Sequence, residues 1–116
     1  DWQRDQGLTI TENWLTAYGA ELKAILANND EMALGALEAL EANGREEVIV
    51  MGVDLIDDAK TAILDGRLDA SVLQDAKGQG EGAMKIALSI LSGEEVEKLT
   101  MIPYVLVTPE TIDQYQ

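Results

Sequence analysis

Three polar side chains follow three apolar segments of this chain, and each of them could bind a hydroxyl group. They are Asn29 after segment 24–27, Asp54 after segment 48–53 and Gln74 after segment 70–73. Because ligands of open α/β sheets bind at the carboxyl ends of the strands, we expect these side chains to converge on one edge of a sheet. Two amides and a carboxylate offer donors and acceptors without a nucleophile or a strong acid. The pattern therefore favours binding of a neutral polyol over catalysis.

Ordinary structural roles also account for these residues. Asn29 or Asp30 could cap the helix that is predicted to follow, because Asn and Asp are favoured at that position. Asp54 suits a turn between a strand and a helix. These roles are compatible with binding, since one side chain can cap the helix while its neighbour faces the ligand. The spacing of Asp54, Asp57 and Asp58 does not match a calcium loop, so no metal site is expected.

The two tryptophans offer large apolar surfaces. Trp14 lies on the apolar stripe of the first predicted helix, which predicts a place in the core. Trp2 precedes that helix, and its aromatic face there could lie against the C–H face of a sugar ring. From position alone, partial burial of Trp2 is favoured over a contact with ligand.

Composition excludes several classes of function. The net charge is -14, so a nucleic acid would be repelled. Cysteine and histidine are both absent, which excludes a thiolate nucleophile, a Ser-His-Asp triad and a Cys/His zinc site. The glycine-rich segment 78–82 is neither a dinucleotide fingerprint nor a P-loop, so no cofactor is expected. No apolar run approaches the roughly 20 residues of a membrane span. We expect neither an enzyme nor direct insertion into a membrane.

The elements that must position these residues alternate regularly. Helices are predicted over 3–18, 31–43, 57–64 and 80–91 and after Thr108; strands are predicted over 22–27, 48–53, 70–73 and 104–107. Such alternation specifies an α/β fold with three layers, in which helices cover both faces of a parallel sheet joined by right-handed crossovers.

Several segments give the chain a family resemblance. They are Asp-Trp-Gln-Arg at 1–4 with Gly7, Ala-Asn-Asn-Asp-Glu-Met-Ala-Leu-Gly-Ala at 27–36, Met-Gly-Val-Asp at 51–54, Asp-Gly-Arg-Leu at 65–68, Val-Leu-Gln-Asp at 72–75 and Ile-Pro-Tyr-Val at 102–105. With these segments and their spacing, the chain resembles the carboxy-terminal portion of the ribose/galactose group of periplasmic sugar-binding proteins. That group delivers ligand to ABC transporters and has the type I periplasmic-binding-protein fold.

The resemblance implies roles for individual residues. Trp2 matches the aromatic residue that stacks on the sugar ring, and Asn29, Asp54 and Gln74 match groups that bond its hydroxyls. Arg4 aligns with an arginine of the family motif that has no assigned ligand contact. The implied partners are a monosaccharide and a transporter permease. The implied location is periplasmic or extracytoplasmic, as a secreted protein or, in a Gram-positive cell, a lipid-anchored one.

Members of the family have two lobes that enclose the sugar. Against that pattern, residues 1–116 are expected to form one incomplete sugar-binding lobe, without the first lobe and without the first strand of the second. Residues 1–75 would form its core, and residues 76–116 a crossing helix with a terminal strand and helix. We therefore expect a fragment of a longer protein. The helix over 80–91 would normally pack on the other lobe, so we also expect the fragment to form a homodimer.

Two other functions are compatible with the same elements. One is the effector-binding domain of a LacI-type transcriptional repressor, and the other is a stand-alone flavodoxin-like signalling domain with Asp54 as phospho-acceptor. The Trp2 motif and the segment 28–32 favour the transport protein over the repressor. The signalling domain would need a second acidic residue beside Asp54 and a lysine at a later strand end, and neither is evident in the sequence.

Overall fold

A computed structural model describes residues 2–115, which form a four-stranded sheet flanked by helices. The strands are β1 (Ala24–Leu26), β2 (Ile49–Asp54), β3 (Ala70–Leu73) and β4 (Val105–Val107), in that spatial order. The helices are α1 (Arg4–Tyr18), α2 (Asp30–Ala42), α3 (Asp57–Leu64) and α4 (Ala76–Leu91), with 3₁₀ turns at Gly19–Glu21 and Ile112–Tyr115. The predicted elements are confirmed except at the carboxyl end, where a 3₁₀ turn replaces the expected helix.

The sheet is mixed, so the prediction of an all-parallel sheet is wrong at β4. The strands β1, β2 and β3 are parallel, whereas β4 runs antiparallel to β3, with Leu73 paired to Val105 and Ser71 to Val107. The reason lies in α4, in which every residue is at least partly exposed. A crossover helix that packs on the sheet returns the chain to the amino ends of the strands. Helix α4 instead projects away from the sheet. The chain therefore re-enters the sheet beside the carboxyl end of β3, and β4 runs in the opposite direction.

Helix α2 supplies much of the hydrophobic core. Ala33, Ala36, Leu37 and Leu40 are all buried, as their helical spacing predicts. They pack with buried side chains from the strands, from α3, from the connections and from the carboxyl end, which are Ile25, Val48, Val50, Leu55, Ala59, Ala62, Ile63, Leu68, Val107 and Ile112. This core fixes the sheet against α2 and α3 and so fixes the carboxyl ends of its strands.

Helix α1 crosses α2 with the two backbones in contact. A Cβ atom on Gly7 would overlap the Met32 carbonyl oxygen, and one on Gly35 would overlap the Arg4 carbonyl oxygen. The buried positions of α1 are Gly7 and Thr11. The prediction that Trp14 lies in the core is therefore wrong, because small residues make the close contact and Trp14 is left 39% exposed.

Helix α4 gives the molecule an elongated shape, with principal extents of 60, 29 and 20 Å. It begins at Ala76, earlier than predicted, because Asp75 caps it: the Gly78 N–H donates to Asp75 Oδ1 at 2.8 Å. The segment 78–82 thus forms its first turns. On the predicted apolar stripe, the exposed fractions of Met84, Leu88 and Leu91 are 64%, 57% and 83%.

Candidate functional site

Three of the predicted site residues lie at the carboxyl ends of neighbouring parallel strands. Asp54 is the last residue of β2, and it pairs with Leu73, which Gln74 follows directly. Asn29 lies in the short connection between β1 and α2. The predicted placement of these three residues at the strand ends is confirmed. We call these three residues, together with Trp2, the carboxyl edge.

Both the oxygen and the nitrogen of the Asn29 amide form hydrogen bonds within the protein. Its Oδ1 accepts a hydrogen bond from the Met32 N–H at 3.1 Å, which caps α2, and its Nδ2 donates to the Trp2 carbonyl oxygen at 3.5 Å. The side chain is only 8% exposed. The capping role is therefore confirmed. An amide nitrogen carries two N–H donors, and the contact with Trp2 uses only one of those of Asn29.

Trp2 presents its indole to solvent. The residue is 67% exposed, so the expectation of partial burial is wrong. Its backbone has φ 52°, a conformation that is uncommon for residues other than glycine. The hydrogen bond from Asn29 and the close crossing of α1 over α2 hold this backbone beside the start of α2. The exposed indole of Trp2 is therefore attached to a backbone that contacts the Asn29 amide.

Arg4 joins the starts of three helices. Its Nε lies 2.9 Å from Glu31 Oε2 and its Nη2 lies 2.8 Å from Asp58 Oδ2. The hydrogen bond to Asp58, and to a smaller extent the one to Glu31, raises the pKa of Arg4. The sequence assigned Arg4 no role. In the structure it ties α1, whose start lies two residues after Trp2, to α2 and α3.

Asp54 begins a sharply bent connection to α3. Asp54 has φ 112° and Leu55 has φ 58°, so two consecutive residues other than glycine adopt positive φ. We call residues 54–56 the bend. The Asp54 carboxylate is half-buried and accepts hydrogen bonds only, whereas the remaining N–H of Asn29 can only donate. The two groups are thus complementary partners for hydroxyls.

A second carboxylate, that of Asp30, lies fully buried beneath the carboxyl edge. Its Oδ1 accepts from Ser71 Oγ at 2.7 Å and its Oδ2 accepts from the Ile56 N–H at 2.9 Å. Burial raises the pKa of Asp30, and the nearby charge of Asp54 adds to that rise. Sequence reasoning considered Asp30 only as a possible cap of α2 and missed its burial. The available signals were Ser71 within an apolar strand and Gly52, where a Cβ atom would overlap Asp30 Oδ1.

Gln74 is exposed and has one neighbour that sequence reasoning did not select. Its Oε1 accepts from the Tyr104 hydroxyl at 3.3 Å. Tyr104 precedes β4 and is 60% exposed. The return of the chain along β3 therefore adds a phenol beside the amide of Gln74.

Comparison with known families identifies the class of protein. The profile described as "Periplasmic binding protein domain" matches residues 1–95. The chain belongs to this family, which confirms the resemblance seen in its sequence segments. The matched region includes Trp2, Asn29, Asp54 and Gln74.

Individual relatives agree with this assignment. A Rhizobium meliloti protein provisionally named rhizopine-binding is 48% identical over 118 residues, covering 100% of this chain and 38% of that protein. The ribose import binding protein of Bacillus subtilis is 41% identical over 108 residues, covering 93% of this chain and 35% of that protein.

Solved structures agree as well. An ABC transporter solute-binding protein from Bacillus halodurans with bound myo-inositol is 50% identical, with a TM-score of 0.88, over 99% of this chain and 40% of that one. One from Actinobacillus succinogenes with bound D-allose is 32% identical, with a TM-score of 0.91, over 98% of this chain and 41% of that one. The chain thus spans about two fifths of the length of these relatives.

Proposed function

We propose that this chain is the carboxy-terminal part of a solute-binding protein that delivers a monosaccharide to an ABC transporter, with the carboxyl edge as one side of its ligand site. The main support for this proposal is a carboxylate and two amides at the ends of three neighbouring strands, together with the exposed indole of Trp2, whose backbone is hydrogen-bonded to one of those amides. The ligands named for its relatives, which are ribose, myo-inositol and D-allose, are all neutral polyols.

Each group has a distinct task in this proposal. The indole of Trp2 covers the C–H face of the ring and removes it from water. Asp54 accepts from two hydroxyls, and hydrogen bonds to a charged acceptor are the stronger kind. The remaining N–H of Asn29 donates to a hydroxyl oxygen, and Gln74 uses its amide on a further hydroxyl. A hydroxyl that donates to Asp54 keeps lone pairs that can accept from Asn29. Because an ether oxygen can accept but cannot donate, Asp54 and Asn29 together select hydroxyls over ethers.

The proposal is one of binding without catalysis and without a cofactor. The relatives are named as binding proteins. In the proposed site, Asp54 only accepts hydrogen bonds from hydroxyls, and that role requires no general base beside it. We place the protein in the periplasm or an equivalent extracytoplasmic space, secreted or lipid-anchored, with a transporter permease as its partner. Within residues 2–115, none of the helices is long and apolar enough to cross a membrane.

A chimaera tests this function. The chain replaces the matching part of the inositol-bound Bacillus halodurans protein, to which it is 50% identical. Calorimetric titration with myo-inositol, ribose, galactose and glucose should detect binding of at least one of them, and Asp54→Asn should weaken it. As a matched control, Asp69→Asn changes a carboxylate at the other end of the strands, where Asp69 Oδ2 accepts from the Val50 N–H at 2.8 Å. A folded chimaera that binds none of the four would contradict the proposal.

A further inference from the structure

The bend at Asp54 adopts a conformation that its own residues do not favour. Positive φ at two successive residues with side chains persists only where the surroundings enforce it. Asp54 has φ 112° and Leu55 has φ 58°. The surroundings of the bend must therefore contain groups that hold it.

Those groups are Asp30 and Ser71. The Leu55 N–H donates to Ser71 Oγ at 3.2 Å, and the Ile56 N–H donates to Asp30 Oδ2 at 2.9 Å. Ser71 Oγ in turn donates to Asp30 Oδ1 at 2.7 Å. Both side chains are fully buried, at 0% exposure. Two successive backbone donors of the bend are thus bound by two side chains that are also bonded to each other.

This buried network joins three elements. Asp30 is the first residue of α2, Ser71 belongs to β3, and the bend begins at the last residue of β2. A carboxylate at the amino end of a helix is also favoured by the helix dipole. Gly52 makes room for the carboxylate, because a Cβ atom there would overlap Asp30 Oδ1. The network therefore links the Asn29 cap, the bend and the strand that leads to Gln74.

We infer that Asp30 and Ser71 are positioning residues for ligand binding, which hold the bend so that the Asp54 carboxylate faces the sugar hydroxyls. This inference rests on the proposed function. A group held in its bound geometry before the ligand arrives loses little freedom on binding, and that raises affinity. Neither residue touches the sugar, and both act through Asp54.

Two variants test the inference. Ser71→Ala removes the acceptor of the Leu55 N–H with little change of volume. Asp30→Asn keeps the shape of the side chain and replaces one acceptor oxygen with a donor. Asp69→Asn is the control, because Asp69 also accepts from a backbone N–H of the sheet but lies away from the bend.

Two readouts separate positioning from stability alone. The first is the NMR coupling between the amide and α protons of Asp54, measured on this chain without ligand, since that coupling depends on φ. The second is affinity for sugar in the chimaera. We expect Ser71→Ala and Asp30→Asn to shift the coupling toward the extended value and to weaken binding by about tenfold or more. Asp69→Asn should change neither readout.

The possible results decide the inference separately from the proposed function. If the parent chimaera binds no sugar, the proposed function fails, and the coupling alone decides whether the network holds the bend. Folded variants with unchanged coupling would overturn the inference, as would a changed coupling with unchanged affinity. If Ser71→Ala does not fold, Asp30→Asn supplies the same test. Failure of both to fold would make the network a requirement for folding and would also overturn the inference.

Discussion

The substitution Gly35→Ala should destabilise the protein, although alanine is the better helix former. The added Cβ atom would overlap the Arg4 carbonyl oxygen, which belongs to the backbone of α1 and cannot rotate away. Overpacking of this kind costs about 1–3 kcal/mol, and the rigid neighbour favours the upper value. Alanine contributes about 1 kcal/mol of helix propensity in the opposite direction. The expected net loss in the free energy of unfolding is about 2 kcal/mol.

Urea denaturation of this chain measures the loss, and α4 offers a matched control. Gly80 also lies within a helix, but a Cβ atom there would meet no other atom within 4 Å. Gly80→Ala should therefore stabilise α4 by up to about 1 kcal/mol. A Gly35→Ala variant as stable as the parent would refute the close crossing of α1 and α2. The position assigned to Trp2 would then lose its main support.

Four further outcomes are expected. Asp54→Ala in the chimaera should weaken sugar binding by about 1.5–3 kcal/mol, the scale of a hydrogen bond to a charged group, as measured by calorimetry. This chain alone should bind galactose, glucose, ribose and arabinose poorly in titrations, because one face of the sugar would stay in water. The chain should form a dimer at micromolar concentration in light scattering, because Leu88 and its stripe on α4 are exposed. As pH rises from the ordinary carboxyl pKa of 3.8 to the raised pKa of Asp30, the free energy of unfolding of the parent should fall relative to that of the Asp30→Asn variant. Urea titrations at several pH values measure this difference.

The sign of the pH effect follows from proton binding. A raised pKa means that the folded state holds the Asp30 proton at a pH where the unfolded state has already released it. Unfolding then releases a proton, so rising pH favours the unfolded state. A stability difference between parent and Asp30→Asn that stays constant across this pH range would contradict the assignment.

Each of the other three outcomes can also fail. Unchanged affinity of Asp54→Ala would remove Asp54 from the site. Micromolar affinity of this chain alone for any of the four sugars would show that one lobe suffices. A monomer in which Leu88→Glu changes neither solubility nor stability would exclude the dimer.

The strongest predictions from sequence came from local patterns that tertiary contacts do not override. The apolar positions of α2 repeat with helical period and are buried, and β3 has the bounds that its apolar run predicts. Asn29, Asp54 and Gln74 could be placed because parallel strands joined by helices bring their carboxyl ends to one edge. The pattern of a strand does not encode its direction. The antiparallel direction of β4 could not be predicted, because it depends on where α4 leads the chain.

The misplaced tryptophans have a related physical cause. A stripe on a helix shows which side chains share a face, but it does not show how close the neighbouring helix comes. Gly7 and Gly35 bring α1 so close to α2 that small residues fill the contact. Trp14 then remains partly exposed, and Trp2 is held open at the carboxyl edge. Likewise, the buried contacts of Asp30 join residues far apart in the sequence, which no local pattern reports.

A crystal structure of the chimaera with bound sugar would show directly whether the carboxyl edge binds the ligand. We expect the indole of Trp2 to lie against one face of the ring and Asp54 to accept from two hydroxyls. We also expect one N–H of Asn29 to donate to the sugar while its Oδ1 still caps α2. A sugar bound away from the ends of β1, β2 and β3, or one that leaves Asp54 without a contact, would contradict the proposed site.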